Sequence, residues 1–240
     1  CTLNCKYCSN YISQLEDKNR KHLSFENFKV QLDNLLKNIY KLNSLIIVGG
    51  EPLLNPDFNK ILQYSLSQKK VENVYIFING TLIFRPEDIE ILKRYRKKVC
   101  IFLSNYSSNE KVLPLLKNNK IKELLNKNKI KYIYNEKTYW VKQDPIISYG
   151  RTADENSMLF CKCGVPSVSV VDGFLHVCPK AAAAQSNGII NFDSEDRLDL
   201  HNPISKEDII SFYSNSRYKI CGHCAGPEAT RYIIFPAEQV

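Results

Sequence analysis

Three cysteines at the start of the sequence could bind a metal. Cys1, Cys5 and Cys8 lie at the spacing C-x3-C-x2-C in the stretch CTLNCKYC. Thiolates are soft ligands, so this spacing indicates either zinc or an iron–sulfur cluster. A structural zinc site needs a fourth ligand, but the next histidine and cysteine are His22 and Cys100. Three ligands on one short loop suit a cubane cluster with one open iron, whereas unligated buried thiols or a disulfide pair are the alternatives.

This motif resembles the cysteine motif of radical S-adenosylmethionine (SAM) enzymes. The resemblance implies that Cys1, Cys5 and Cys8 hold a 4Fe–4S cluster, whose open iron binds the amino and carboxylate groups of SAM. An electron from the cluster would cleave SAM to a 5′-deoxyadenosyl radical that abstracts hydrogen from a substrate. Tyr7 holds the family's aromatic position, where the backbone contacts adenine. An external electron donor such as flavodoxin or ferredoxin is also implied.

A second motif, Gly49-Gly50-Glu51-Pro52, follows a short apolar run. Its two glycines would let the backbone approach a ligand closely. Glu51 can accept a hydrogen bond from an ammonium group, and Pro52 fixes the loop. The motif matches the GGEP segment of the radical SAM family, which binds the SAM amino group. An ordinary turn is the alternative.

Three further site residues are assigned from the same resemblance. Asn79 begins an NGT segment that resembles the family's TNG segment, although a simple turn is an equal alternative. Ser104 lies where a serine of the family bonds the SAM ribose. Arg151 ends a Gly-Arg pair that precedes the second cluster in many relatives. We therefore take Arg151 as the candidate catalytic residue near substrate or cluster, with a surface salt bridge as the alternative.

A second group of cysteines lies in the last third of the chain. Its members are Cys161, Cys163, Cys178, Cys221 and Cys224. Two short β runs flank an Asp-Gly pair, which predicts a hairpin. The cysteines and the hairpin glycine resemble the SPASM and shorter twitch extensions of radical SAM enzymes. This resemblance implies one auxiliary 4Fe–4S cluster with four thiolates, for which Cys163 is favoured over Cys161 because it lies closer to the hairpin.

Zinc is the chemical alternative at this second group. A hairpin followed by a C-x2-C pair is also the arrangement of a zinc ribbon. Iron counting separates the two, because two 4Fe–4S clusters hold about eight irons.

Composition limits the possible partners of this 240-residue chain. Its hydrophobic content of 44% and charged content of 24% are those of a globular protein. It has no apolar run of about 18 residues, so we expect no membrane partner. The net charge of +8 comes from lysines at helix-surface intervals without interleaved aromatics, so no nucleic-acid partner is expected. The cysteine spacing favours metal binding over disulfides, which implies a reducing, cytoplasmic location.

Alternating helices and strands would position these motifs. We predict helices at 24–42, 55–68, 86–95 and 110–127, and strands at 45–48, 74–78, 99–103 and 130–134. This alternation predicts an α/β fold with a parallel sheet. With the resemblance, it implies a partial (β/α)6-type TIM barrel, whose first strand we expect to be missing before Cys1. We expect residues 1–150 to form the radical SAM core and 151–240 a small C-terminal β-hairpin domain that binds the auxiliary cluster.

Three classes of function are consistent with these motifs. The main expectation is hydrogen abstraction from a carbohydrate or cyclitol-type small molecule, with the auxiliary cluster accepting an electron or shaping the pocket. The alternative is a ribosomal peptide maturase. A non-catalytic iron–sulfur or zinc scaffold is a third class, which the intact GGEP motif disfavours because a scaffold does not need a SAM loop.

Overall fold

A parallel sheet of four strands, in the order β1-β2-β3-β4, forms the first half of the fold. The computed structural model describes residues 1–16, 21–136, 139–164, 167–227 and 229–240. The strands are β1 (Leu42–Ile47), β2 (Val71–Ile78), β3 (Val99–Leu103) and β4 (Tyr132–Tyr134). The helices are α1 (Phe25–Asn38), α2 (Phe58–Ser67), α3 (Pro86–Arg94) and α4 (Asn118–Lys127). The predicted α/β architecture is confirmed, and it is consistent with a partial radical SAM barrel.

Local sequence signals explain where the helices begin. The Ser24 side chain caps α1 by accepting a hydrogen bond from the backbone N–H of Asn27, as its position predicts. Pro86 begins α3, where its missing N–H costs nothing. The buried face of each crossover helix packs on the sheet, and the core includes Leu62 of α2 and Ile101 of β3, both fully buried.

Two predicted helix starts, one predicted helix end and one burial assignment are wrong. The helix predicted at 24–42 ends at Asn38, and Leu42 already belongs to β1. Residues 56–57 form a turn before α2 and Leu113–Leu115 form a 3-10 turn before α4, so α2 begins only at Phe58 and α4 only at Asn118. Both turns contain a proline, which cannot donate to a preceding helical turn. β1 was expected to be a buried strand, but Ile46 is 43% exposed. The strand register places Ile46 on the same sheet face as Phe77 of β2 and Ile133 of β4, which are also exposed, so this face of the sheet is left open.

The second half of the fold is built on an antiparallel sheet of β6 (Ser169–Val171), β7 (Phe174–His176) and β8 (Arg197–Asp199). Asp172 and Gly173 join β6 to β7 with φ of 47° and 79°, the positive values of a tight hairpin turn. Around this sheet lie α5 (Ala153–Lys162), α6 (Pro179–Ser186) and α7 (Lys206–Ser214). The hairpin is therefore present, while its standing as a separate cluster-binding domain stays a prediction.

The two halves contact each other at several places. A short ribbon pairs β5 (Trp140–Val141) with β9 (Ile233–Ile234). Tyr11, three residues after the last cysteine of the first group, is buried in the hydrophobic core of the second half. Its hydroxyl donates a hydrogen bond to the Asp144 carbonyl at 2.7 Å.

The helices of the described part of the chain include none with the length and apolar character of a membrane span.

Candidate functional site

The GGEP loop packs directly on the first cysteine. A Cβ placed on Gly50 would lie 2.6 Å from the Cys1 Cβ and 2.9 Å from its Cα. Real side chains do not approach this closely, so only glycine fits here. Asn10 donates a hydrogen bond to the Gly49 carbonyl at 2.9 Å and ties the cysteine loop to the same turn. The two motifs that the sequence places 40 residues apart therefore meet at the carboxyl end of β1.

Glu51 is a buried carboxylate between two strand ends. It accepts hydrogen bonds from the backbone N–H groups of Leu53, at 3.1 Å, and Asn79, at 2.8 Å. Burial raises the pKa of Glu51, and these two hydrogen bonds oppose the shift. An ionised carboxylate has about four lone-pair sites, so capacity remains for a ligand ammonium. Pro52, which follows, begins the 3-10 turn.

The Asn79 side chain links the next strand end to the cysteine loop. Its Nδ2 donates to Thr2 Oγ1 at 2.8 Å and lies 3.7 Å from Cys1 Sγ. Its Oδ1 accepts from the backbone N–H of Thr81 at 3.0 Å. The NGT segment is thus a turn whose side chains also contact the candidate cluster loop.

Tyr106 is a further residue near this site, to which sequence analysis assigned no role. Burial raises the pKa of Tyr106 to about 12; Cys5, Cys8 and Glu51 add to this shift, and the Ser104 side chain opposes it. Ser104 follows β3, so the sequence signal for Tyr106 is its place two residues further in the same strand-end loop. The Tyr106 ring packs edge-on against Trp140 at 5.5 Å between centroids.

The three cysteines of the first group differ from one another in solvent exposure. Cys1 is exposed, Cys8 is half-buried and Cys5 is buried. Burial raises the pKa of Cys5, while a hydrogen bond from Gln239 opposes this shift. Gln239 is a second residue that sequence reasoning missed, since it is 234 positions away from Cys5. Tyr7 is half-buried, with the ammonium groups of Lys6 and Lys142 each 5.4 Å from its ring centroid.

Four cysteines of the second group lie near one another. Burial raises the pKa of Cys221 to about 12, and the nearby thiols of Cys178, Cys224 and Cys163 add to the shift. The pKa of Cys178 is raised in the same way, with Cys224 and Cys163 again as neighbours. Cys161 is exposed on α5. Cys163 therefore lies near this group, while the preference for it over Cys161 as a cluster ligand stays a prediction.

Arg151 contacts the second group through the backbone. Its guanidinium donates to the carbonyls of Cys221 at 3.0 Å, Cys224 at 2.6 Å and Ala225 at 3.3 Å. These three bonds fix the path of the C-x2-C loop. The Arg151 guanidinium thus faces backbone carbonyls of the loop. The catalytic role of Arg151 stays a prediction.

Both cysteine groups supply the soft thiol donors that an iron–sulfur cluster requires. Among the described residues, no three His, Cys, Asp or Glu side chains are arranged to hold a single metal ion. Ligation requires the thiolate form, and the raised pKa values of Cys5, Cys178 and Cys221 keep these thiols protonated without a bound cation. Binding of a cluster would therefore release protons.

Comparison with known proteins identifies the family. The model of the Radical SAM superfamily matches residues 1–130, which is more than half of the chain, and the chain belongs to this superfamily. Membership implies an enzyme with a 4Fe–4S cluster and SAM. The chain is also similar to the antilisterial bacteriocin subtilosin biosynthesis protein AlbA of Bacillus subtilis (strain 168), with 35% identity over 112 residues. That match covers 47% of this chain and 23% of AlbA, so it spans about a quarter of the relative's length.

Proposed function

We propose that this chain is the catalytic part of a radical SAM enzyme that modifies a peptide. The observation that carries the substrate class is the similarity to AlbA, whose name assigns it to the biosynthesis of a bacteriocin. Bacteriocins are peptide or protein antibacterials, so the relative favours the peptide maturase alternative over the carbohydrate or cyclitol that we first expected. The sugar-like substrate has no comparable support.

The first site would bind the cluster and SAM. Cys1, Cys5 and Cys8 would hold the cluster, which supplies the electron that cleaves SAM to the 5′-deoxyadenosyl radical. Gly50 keeps room for the cysteine loop, and Glu51 would accept from the SAM ammonium. This arrangement supports the assignment because the buried Glu51 carboxylate is aligned by the Asn79 backbone.

Two further contacts to SAM are proposed around that carboxylate, together with residues that hold the neighbouring loops. The Ser104 hydroxyl would bond the ribose, close to the Tyr106 hydroxyl whose pKa it influences. The backbone at Tyr7 would lie against adenine, and the side-chain amide of Asn79 would keep the cysteine loop in place through Thr2. Gly49 and Pro52 shape the loop that brings Glu51 to the ligand.

The second site would hold an auxiliary 4Fe–4S cluster through Cys163, Cys178, Cys221 and Cys224. Cys163, Cys178 and Cys224 each raise the pKa of Cys221, which supports the proximity of the four thiols. The auxiliary cluster would accept an electron in an oxidation or shape the substrate pocket. A reductant such as flavodoxin or ferredoxin would serve the first cluster, as is typical of radical SAM enzymes.

Anaerobic reconstitution followed by a deoxyadenosine assay tests this function. The reconstituted chain is incubated with SAM, dithionite and either a panel of peptides or a panel of sugars and cyclitols. We expect 5′-deoxyadenosine above the uncoupled background with a peptide and a matching mass change in that peptide. Cys5→Ala is the control, since it should abolish the product. If only a cyclitol or sugar increases 5′-deoxyadenosine formation, the substrate is a carbohydrate and not a peptide. If SAM is not cleaved under any condition, the proposal of a radical SAM enzyme is wrong.

A further inference from the structure

Gln239 donates a hydrogen bond to a cysteine sulfur of the first group. Its side-chain Nε2 lies 3.4 Å from Cys5 Sγ, and the two residues form an antiparallel β-bridge. Cys5 is 8% exposed, so water has little access to replace this bond. In such surroundings a hydrogen bond is electrostatically stronger than in water.

The orientation of the Gln239 amide is fixed without reference to the sulfur. Its Oε1 accepts from the backbone N–H of Asn4 at 2.8 Å, and its Nε2 donates to the Ala237 carbonyl at 2.6 Å. Exchanging the amide oxygen and nitrogen would set donor against donor at Asn4 and acceptor against acceptor at Ala237. The second N–H of the amide is therefore left to point at Cys5.

The backbone around Gln239 is held against the cysteine loop on both sides. The Lys6 N–H donates to the Glu238 carbonyl at 2.7 Å, and the Val240 N–H donates to the Asn4 carbonyl at 2.9 Å. Asn109 also donates to the Ala237 carbonyl at 2.9 Å. These bonds do not depend on the Gln239 side chain, so a substitution there should keep the segment in place.

We propose that Gln239 is a positioning residue that raises the reduction potential of the cluster held by Cys1, Cys5 and Cys8. This inference rests on the proposed function, which places the cluster at these cysteines. Reduction adds negative charge that the cysteine sulfurs share. An N–H donor to Cys5 Sγ stabilises the reduced state more than the oxidised state, because hydrogen bonds to charged acceptors are the stronger ones. Hydrogen bonds to the sulfurs are among the factors that set iron–sulfur potentials.

A redox titration of the reconstituted full chain tests the proposal. The signal followed by electron paramagnetic resonance (EPR) is the one that changes when SAM is added, which selects the cluster with the open iron. Gln239→Leu should lower the equilibrium constant for reduction about tenfold. For a one-electron couple, this is a decrease of ~59 mV in the reduction potential. Gln239→Glu keeps an acceptor for Asn4 but removes the donor to Cys5, so its potential should fall at least as far.

Glu238→Gln is the matched control on the neighbouring residue. Glu238 pairs with Lys6 at 3.5 Å, and both side chains are 50% exposed. Losing this solvent-screened pair should leave the potential unchanged in ~0.15 M salt. Iron content and thermal unfolding are measured on every variant.

The outcomes separate this inference from the proposed function. Wild-type protein that binds no iron–sulfur cluster overturns both. Loaded wild-type protein with unchanged potentials in Gln239→Leu and Gln239→Glu overturns the hydrogen-bond role alone. Failure of both variants to assemble the cluster also overturns it, since Gln239 would then serve assembly and not the potential.

Discussion

The Glu51 carboxylate and the Asn79 backbone join the ends of two adjacent strands, with 2.8 Å between Glu51 Oε2 and Asn79 N. Glu51 follows β1 and Asn79 follows β2. One carboxylate thus serves the fold and the proposed ligand site together. Its removal should affect stability as well as SAM binding.

Glu51→Ala should weaken SAM binding and also destabilise the fold. Truncation leaves the buried N–H groups of Leu53 and Asn79 without an acceptor, at about 1–3 kcal/mol each. Glu51→Gln keeps one acceptor, so it should cost about half as much. Urea unfolding and SAM titration of both variants measure the two effects. Glu51→Ala protein as stable as the wild type would show that other groups satisfy these N–H donors.

The stability difference between wild type and Glu51→Gln should depend on pH. Burial raises the pKa of Glu51 in the folded state. A raised pKa contributes stability that is present below the unfolded-state pKa and is lost as pH rises through the folded-state pKa. The destabilisation caused by Glu51→Gln should therefore be largest in acid and should shrink above the folded-state pKa. A pH-independent difference, measured by urea unfolding across that range, would contradict the raised pKa.

Gly50→Ala should displace the cysteine loop and reduce cluster loading. The added Cβ would lie within 3 Å of the Cys1 Cβ and Cα, so backbone must move. Gly164→Ala is the control, because a Cβ there meets nothing within 4 Å. The measurement is the SAM-sensitive EPR signal per mole of protein. Equal loading in the two variants would show that Cys1 does not need its observed position.

Replacing Arg151 should release iron from the second site. Arg151→Ala removes three hydrogen bonds to the C-x2-C loop, and Arg151→Lys keeps the charge but lacks the planar fork that reaches several carbonyls. We expect about half of the total iron to be lost in Arg151→Ala and a smaller loss in Arg151→Lys. Full iron content with abolished activity would instead favour the catalytic role.

Single cysteine replacements should distinguish Cys161 from Cys163. Cys163 influences the pKa of Cys221 and Cys178, whereas Cys161 is exposed on α5. Cys163→Ser should therefore lower total iron from about eight towards four, as should joint removal of Cys221 and Cys224. Cys161→Ser should leave it unchanged. About four irons with one zinc in the wild type would assign the second site to the zinc-ribbon class.

The sequence predicted the elements whose pattern is local. The apolar spacing of α1 and its cap at Ser24 gave that helix, and the Asp-Gly pair gave the hairpin turn. The starts of α2 and α4 were missed because Pro56 and Pro114 lie in turns that precede the regular helices. The exposure of β1 was missed because a run of apolar residues does not show which sheet face is covered.

Contacts between residues far apart in the chain could not be predicted from the sequence. The motif cysteines, Glu51 and Ser104 could be assigned because each belongs to a pattern of neighbouring residues. Gln239 belongs to no such pattern, and its contact with Cys5 exists only because the chain returns to the loop. Tyr106 was overlooked for the same reason, because the groups that influence its pKa, Cys5, Cys8 and Glu51, come from distant parts of the chain.

Tyr11 gives the molecule a thermodynamic linkage between its two cysteine groups. It follows Cys8 closely in sequence, yet its ring is 3% exposed in the core that also contains Cys221. Any rearrangement that frees the first loop must withdraw this ring and expose its apolar surface. Cluster binding at either group therefore favours the same packed state, so loading of the two groups is expected to be cooperative, and loss of iron at one should lower the retention of iron at the other.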